Sequence, residues 1–176
     1  PMAILAPFNL QQWIADHKDL LKPPVGNACI YKQAGDFIVM VVGGPNSRKD
    51  YHYNESEELF YQLEGTIEVK IIEDDQPRTI TLHPGDIFLL PAKVPHSPQR
   101  GPNSVGLVIE KVRKGKEIDG FLWFCEQCNA KLYEEYMELT DIVKQLPPVM
   151  QRFYEDEHKR TCKVCNHVMQ VPELKK

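Results

Sequence analysis

At 176 residues and 42% apolar composition, the chain suits one compact domain with a small appendage and is too short for two large domains. A formal net charge of −4 and a pI of about 5.9 leave no electrostatic footprint for nucleic acid or anionic lipid. No apolar run approaches the roughly 18 residues of a membrane span, and the opening Pro1-Met2-Ala3-Ile4-Leu5 lacks the charged and apolar regions of a secretory signal. A cytoplasmic chain is expected. Its start on Pro1 is read as processing or as a cloning remnant.

Asn9 is placed to cap a first helix, with Gln12 three residues on as in a capping box. Leu10, Trp13, Ile14 and Leu21 recur at helical spacing until Pro23-Pro24 stops the run. A β-rich stretch follows. Its strands are expected at Phe37 to Val42, Leu59 to Leu63, Thr66 to Ile72, Thr79 to His83, Ile87 to Leu90 and Val105 to Val112. The turns between them fall at Gly43-Gly44-Pro45, Glu64-Gly65, Asp74-Asp75-Gln76-Pro77 and Pro84-Gly85-Asp86. Short strands at this spacing predict a sandwich or barrel. The charged run Lys111 to Glu117 reads as a linker or exposed turn. Beyond it, Gly120 to Phe124 leads into a cysteine pair. Thr140-Asp141 opens a helical segment that Pro147-Pro148 breaks and restarts, and that runs to about His158. The expected organisation is a barrel with an N-terminal helix over 1–115, and a C-terminal extension over 116–176 packed on it as one unit.

Five cysteines occur, and four form two C-x-x-C pairs: Cys125 with Cys128, and Cys162 with Cys165. In a reducing compartment such pairs read as metal ligands rather than disulfides. The two stretches look like rubredoxin-type knuckles, each turning two thiolates onto one ion, with Asn129 and Asn166 helping the chain to turn. Four thiolates make a closed tetrahedral site for iron or zinc, so a structural role is expected. The rival reading is a zinc ribbon for nucleic acid. The negative charge and the lack of a basic, aromatic surface pattern argue against it. Cys29 is expected to pack as a small apolar residue.

His52 to Gly65 and Gly85 to His96 resemble the two metal-binding motifs of the cupin superfamily. His52, Glu58 and Gly65 fit the first in spacing, and Gly85, Pro91 and His96 fit the second. There are two departures: Asn54 stands where the first motif has its second His, and Lys93 where the second motif usually has Gly. On extended backbone His52, Asn54 and Glu58 share parity, although the bend at Asn54-Glu55-Ser56 weakens that argument. Two imidazoles and one carboxylate make the facial triad of non-haem iron(II) oxygenases, with open positions for substrate and dioxygen. Glu55 and Glu57 are rival carboxylates read as solvated, and His83 is read as no ligand.

Further segments bring the chain close to one family. Ala6-Pro7-Phe8-Asn9, Leu20 to Asn27, Val42 to Asn46, Glu58 to Gln62, Asp86 to Pro91, His96 to Arg100, Asp119-Gly120-Phe121 and Leu146-Pro147-Pro148 resemble the 3-hydroxyanthranilate 3,4-dioxygenases. The four-cysteine appendage is similar to the bacterial and fungal branch. The resemblance implies a mainly β cupin (jelly-roll) barrel with a helical, metal-knuckle extension. It also implies iron(II)-dependent, extradiol-type ring opening by dioxygen in the kynurenine route to quinolinate and NAD.

His52, Glu58 and His96 would hold the iron; Cys125, Cys128, Cys162 and Cys165 would hold a second iron or zinc. Arg100 would pair with the substrate carboxylate, assisted by Glu110. Arg48 and Asn27 would lie where dioxygen binds. Val25, Val42, Phe60, Pro98 and Ile142 would shape the ring pocket. Without the resemblance, Glu110 reads equally as an exposed strand residue and Arg48 as an ordinary loop cation. The implied partners are 3-hydroxyanthranilate and dioxygen, with no nucleic acid, no membrane and a homodimer. Other cupin activities (sugar-phosphate isomerase, thiol dioxygenase) and a non-enzymatic binding protein stay open on the residues alone.

Overall fold

The computed structural model describes residues 4–23, 26–46 and 48–173, and two antiparallel sheets face each other in it. The five-stranded sheet runs β1 (Asn27–Cys29), β2 (Phe37–Gly43), β9 (Val105–Lys111), β4 (Glu58–Glu64), β7 (Ile87–Leu90). The six-stranded sheet runs β11 (Lys131–Glu138), β10 (Ile118–Phe124), β3 (Tyr51–Tyr53), β8 (His96–Gln99), β5 (Ile67–Glu73), β6 (Gln76–Leu82). This is the expected mainly β architecture, built as two antiparallel sheets. Among the described residues no helix is long and apolar enough to cross a membrane.

Alternation along each strand decides what faces inward. In β4, Glu58, Phe60 and Gln62 are buried while Tyr61 is exposed, the period of two that a half-buried strand requires. Phe60, Val69, Ile71, Leu82, Leu90 and Val108 form a buried cluster between the sheets. Both motif glycines sit at positive φ, Gly65 at 70° and Gly85 at 94°, which L side chains resist. Lys93, at the place of the missing motif glycine, holds φ 66° regardless. Asp74 and Asp75 (φ 50° and 60°) make the two-residue turn joining β5 to β6. Pro77 is tolerated in β6 because that strand is an edge and needs no further donor.

The first helix, α1 (Leu10–Asp16), is capped as expected by Asn9, whose Oδ1 accepts from the Gln12 N–H at 2.8 Å. The reciprocal half of the capping box is absent, because the Gln12 side chain donates forward to Asp16. A short 3-10 turn, Lys18–Leu21, completes the segment. Ile14 and Leu21 pack on Val41 and Val105, whose side chains face away from the barrel interior. Pro24 of the expected helix stop lies outside the described residues.

The stretch after residue 116 adds two strands to the six-stranded sheet: β10 pairs with β3 on one side and with β11 on the other. Two expectations need correction. The helix α2 (Ile142–Tyr154) is not broken at Pro147-Pro148. The two prolines remove donors to the carbonyls of Val143 and Lys144, and those residues are exposed, so water can serve them. The break comes instead after Tyr154, before α3 (Glu157–Arg160). Cys29 is exposed on the edge strand β1 rather than packed, its Sγ donating to the Tyr31 carbonyl.

Helix α2 and the tail close over β10. Phe153 is fully buried, stacked on Trp123 at 4.4 Å between centroids and on Tyr133 at 5.8 Å. Val149 and Met169 complete this cluster. Removing a fully buried aromatic leaves a cavity that such tightly packed surroundings do not refill. Phe153→Ala is therefore expected to cost about 3–5 kcal/mol in urea unfolding; a loss below about 1 kcal/mol would mean the cluster is loosely packed.

Candidate active site and four-cysteine centre

The strand registers bring the functional side chains together. Within the six-stranded sheet His52 and His96 are directly opposed on β3 and β8, with Phe121 of β10 opposite His52. Within the five-stranded sheet Glu58 of β4 is directly opposed to Glu110 of β9, which in turn opposes Ile38 of β2. Both rungs point inward, so two imidazoles meet two carboxylates across the barrel. One donor atom from each of His52, Glu58 and His96 lies within 4.8 Å of the others. All three residues are buried.

The donor set fits a metal ion. His96 Nδ1 donates to the Val94 carbonyl at 3.0 Å, leaving Nε2 with a lone pair 2.8 Å from Glu58 Oε2. Two acceptors at that distance require a proton or a cation between them. His52 is braced on one face by the Phe121 ring, stacked at 5.2 Å. Its Nε2 lies 2.6 Å from Asp119 Oδ2. The departure at Asn54 has a local explanation: its Oδ1 accepts the Ser56 N–H at 3.1 Å, so it shapes the bend. Glu57 is exposed and Glu55 accepts the Ile118 N–H, which leaves Glu58 as the inward carboxylate. His83 is exposed and pairs with Asp86.

A cavity of about 570 Å³ opens beside the three residues. Asn27, Val42, Arg48, Phe60, Pro98, Arg100, Glu110 and Ile142 all line it. Val25 lies outside the described residues. Sequence reasoning missed Met40 and Val108 on the wall, Leu139 and Thr140 at the mouth, and Arg113. It also gave no role to Asn46, whose Oδ1 accepts the Arg100 backbone N–H and whose Nδ2 donates to the Pro98 carbonyl, both at 2.9 Å. Inward parity on β2 and β9 was the available signal for Met40 and Val108. None existed for Asn46.

Electrostatics sharpen the contrast between the groups. Burial opposes ionisation of Glu58, but His96 and the hydrogen bond from Glu110 hold it well below the usual carboxylate range. Burial, and after it the neighbouring Glu58, push Glu110 upward, so of the two carboxyls Glu110 is the one that favours its protonated form. Burial lowers His52 and outweighs the Asp119 hydrogen bond. Burial brings Arg100 down to about 10, outweighing the Glu58 charge that favours its ionised form, and its Nη1 has no hydrogen-bond partner among the described residues. A buried guanidinium with an orphaned nitrogen at a cavity wall is suited to an anion. Burial also works against Arg48, and Asp50, at 2.5 Å, more than restores its charge.

Away from the cavity, the four cysteine sulfurs lie within 4.8 Å of one another. Cys125 and Cys165 are 3.6 Å apart, and Cys128 and Cys162 3.5 Å. Disulfide bonds are near 2.05 Å, whereas sulfurs around one tetrahedral ion stand about 3.8 Å apart. The two knuckles match in detail. Asn129 and Asn166 take φ of 66° and 64°, and their N–H groups donate to the Cys125 and Cys162 carbonyls. Backbone N–H groups of Cys165 and Val164 lower the Cys162 thiol, while Cys128 and Cys165 beside it are raised. The residues of both sites therefore fit metal ions.

The glycine at 106 leaves room for two buried polar side-chain ends. A Cβ there would stand 2.9 Å from Arg100 Nη1 and 2.8 Å from Gln62 Oε1. Gly106→Ala is expected to destabilise by about 1–3 kcal/mol through overpacking, more than the ~0.4–1 kcal/mol it gains from a stiffer unfolded chain. Urea unfolding checks this, and a net gain in stability would contradict the close approach.

The chain matches the family model described as 3-hydroxyanthranilic acid dioxygenase over residues 2–154. A 3-hydroxyanthranilate 3,4-dioxygenase of Xanthomonas euvesicatoria is 52% identical over 170 residues, 97% of this chain and 96% of that one. One of Bacillus thuringiensis is 45% identical over 166 residues, 94% of this chain and 92% of that one. Among solved structures, a cupin-2 domain protein of Shewanella frigidimarina aligns at 20% identity over 59% of this chain and 100% of its own, with a TM-score of 0.47. With the family model and full-length relatives in agreement, the chain belongs to the 3-hydroxyanthranilic acid dioxygenase family.

Proposed function

We propose that this enzyme uses iron(II), held by His52, Glu58 and His96, to open the ring of 3-hydroxyanthranilate with dioxygen. The product would be 2-amino-3-carboxymuconate semialdehyde, placing the enzyme on the kynurenine route to quinolinate and NAD. Arg100 carries the reading: a buried guanidinium with a free Nη1, on the wall of the cavity that holds two imidazoles and a carboxylate. The substrate is a benzoate with neighbouring amino and hydroxyl groups. Its carboxylate suits a planar, permanently charged fork, and its other two groups suit open metal positions. Iron(II) supplies the means of bringing the electron-rich ring and dioxygen into reaction.

The protein's own work is positioning and charge management. Arg100 would fix the carboxylate end, with its backbone clamped by Asn46. Glu110, with the Glu58 charge taken up in ligation, would accept the proton of the substrate hydroxyl. Phe60, Val42, Pro98 and Ile142 would flank the ring, and Val25 is assigned to the same wall. Arg48 and Asn27, on the cavity wall, would face dioxygen and its reduced forms.

The four-cysteine centre would hold iron or zinc as a closed, structural site. Reading these thiols as ligands goes with a reducing, cytoplasmic setting. The barrel, 1–115, and the extension, 116–176, would fold as one unit. The pairing of β10 with β3 and the Phe121 stack on His52 support that view. A homodimer has a suitable surface on the outer face of the five-stranded sheet, where Tyr61, Ile87 and Leu89 are exposed.

Arg100→Ala tests the substrate assignment. Losing a charge-assisted contact costs about 1.5–3 kcal/mol, so KM for 3-hydroxyanthranilate is expected to rise roughly 10–100-fold. Binding of 2-aminophenol, which lacks the carboxylate, should change little. Equal loss with both compounds would contradict the carboxylate role.

A further inference from the structure

Arg113 lies in the charged run that reads as a linker, yet its side chain is only 13% exposed. It extends two arms. Nε and Nη2 donate to the two oxygens of Asp119 at 2.6 and 2.7 Å, and Nη1 donates to Glu110 Oε1 at 3.3 Å. Asp119 itself is fully buried, and its Oδ2 also takes His52 Nε2. Along the chain the three groups are close: Glu110 at the end of β9, Arg113 in the connecting loop, Asp119 at the start of β10. In space they bridge the two facing sheets, since β9 belongs to one and β10 to the other.

The chemistry of the chain of bonds is fixed by its members. A carboxylate accepting a guanidinium fork has only acceptors left to offer, so His52 Nε2 must carry its proton there. That selects one tautomer and leaves Nδ1 as the bare nitrogen. The second arm holds Glu110 against Glu58, its directly opposed neighbour. One guanidinium thus braces groups behind two of the three inward donors.

We infer that Arg113 and Asp119 are positioning residues for the metal-binding triad, setting the tautomer and orientation of His52 and the placement of the Glu58–Glu110 pair. The inference rests on the metal reading of the triad. Partners behind a metal-bound imidazole typically govern affinity by about 10–100-fold.

The test titrates metal-stripped, full-length protein with manganese(II), a hard ion for which carboxylate and imidazole are better ligands than thiolate. Free manganese(II) is read by electron paramagnetic resonance. Asp119→Asn and Arg113→Gln are each expected to weaken binding about 10–100-fold. Arg113→Lys, which keeps the charge but loses the fork, should fall between them and the parent, and it carries the test if the other variants do not fold. Ile14→Ala, destabilising at the outer face of the opposite sheet, should bind as the parent does, which separates positioning from general loss of stability. Unchanged affinity in the Asp119 and Arg113 variants, or equal weakening in Ile14→Ala, would overturn the inference. A parent protein that takes up no manganese(II) would overturn the metal reading itself, and the inference with it.

Discussion

Two carboxylates stand side by side inside this barrel, Glu58 and Glu110, as directly opposed residues on neighbouring strands. Like charges in that position repel, and burial denies them water. The arrangement persists because other groups answer it: His96 against Glu58, and Arg113 against Glu110. Much of the site is organised around this pair. A cation among the inward donors would relieve it further, which is the electrostatic argument for a metal beside this pair.

The fold delivers these groups through register rather than through loops. His52 faces His96 on adjacent strands just as Glu58 faces Glu110, and the two rungs confront each other across the interior. Sites built on strands hold their geometry better than sites on loops. The C-terminal elements matter here as well. Phe121, paired with His52 on the same face of the sheet, also belongs to the cluster under α2, so the packing of α2 on β10 reaches the cavity. Gly106 serves the opposite sheet in a similar way, by leaving room for Arg100.

Much of this was legible in the sequence where chemistry imposes fixed spacing. The C-x-x-C pairs follow from a local geometric demand, the His52 and Glu58 interval and the two turn glycines were carried by the resemblance to the cupin motifs, and the strands by short runs between turn signals. What escaped notice depended on tertiary context. Arg113 was lost among the charges of 111–117, because nothing local tells an inward guanidinium from a solvated one. β11 reads Lys-Leu-Tyr-Glu-Glu-Tyr-Met-Glu, an edge strand whose half-exposed alternation is masked by its glutamates. Pro147-Pro148 suggested a break, yet exposed carbonyls and the buried Val149 and Phe153 keep the helix whole. The Lys93 departure cost the motif its glycine without changing the backbone conformation there.

The most direct measurement is a single turnover. Protein loaded anaerobically with iron(II) is mixed with 3-hydroxyanthranilate and then with dioxygen, while ring opening and oxygen uptake are followed together. One ring opened and one dioxygen consumed per catalytic iron, with neither occurring in the metal-stripped protein, is the predicted result. Substrate binding without oxygen uptake, or ring opening that survives removal of the metal, would contradict it.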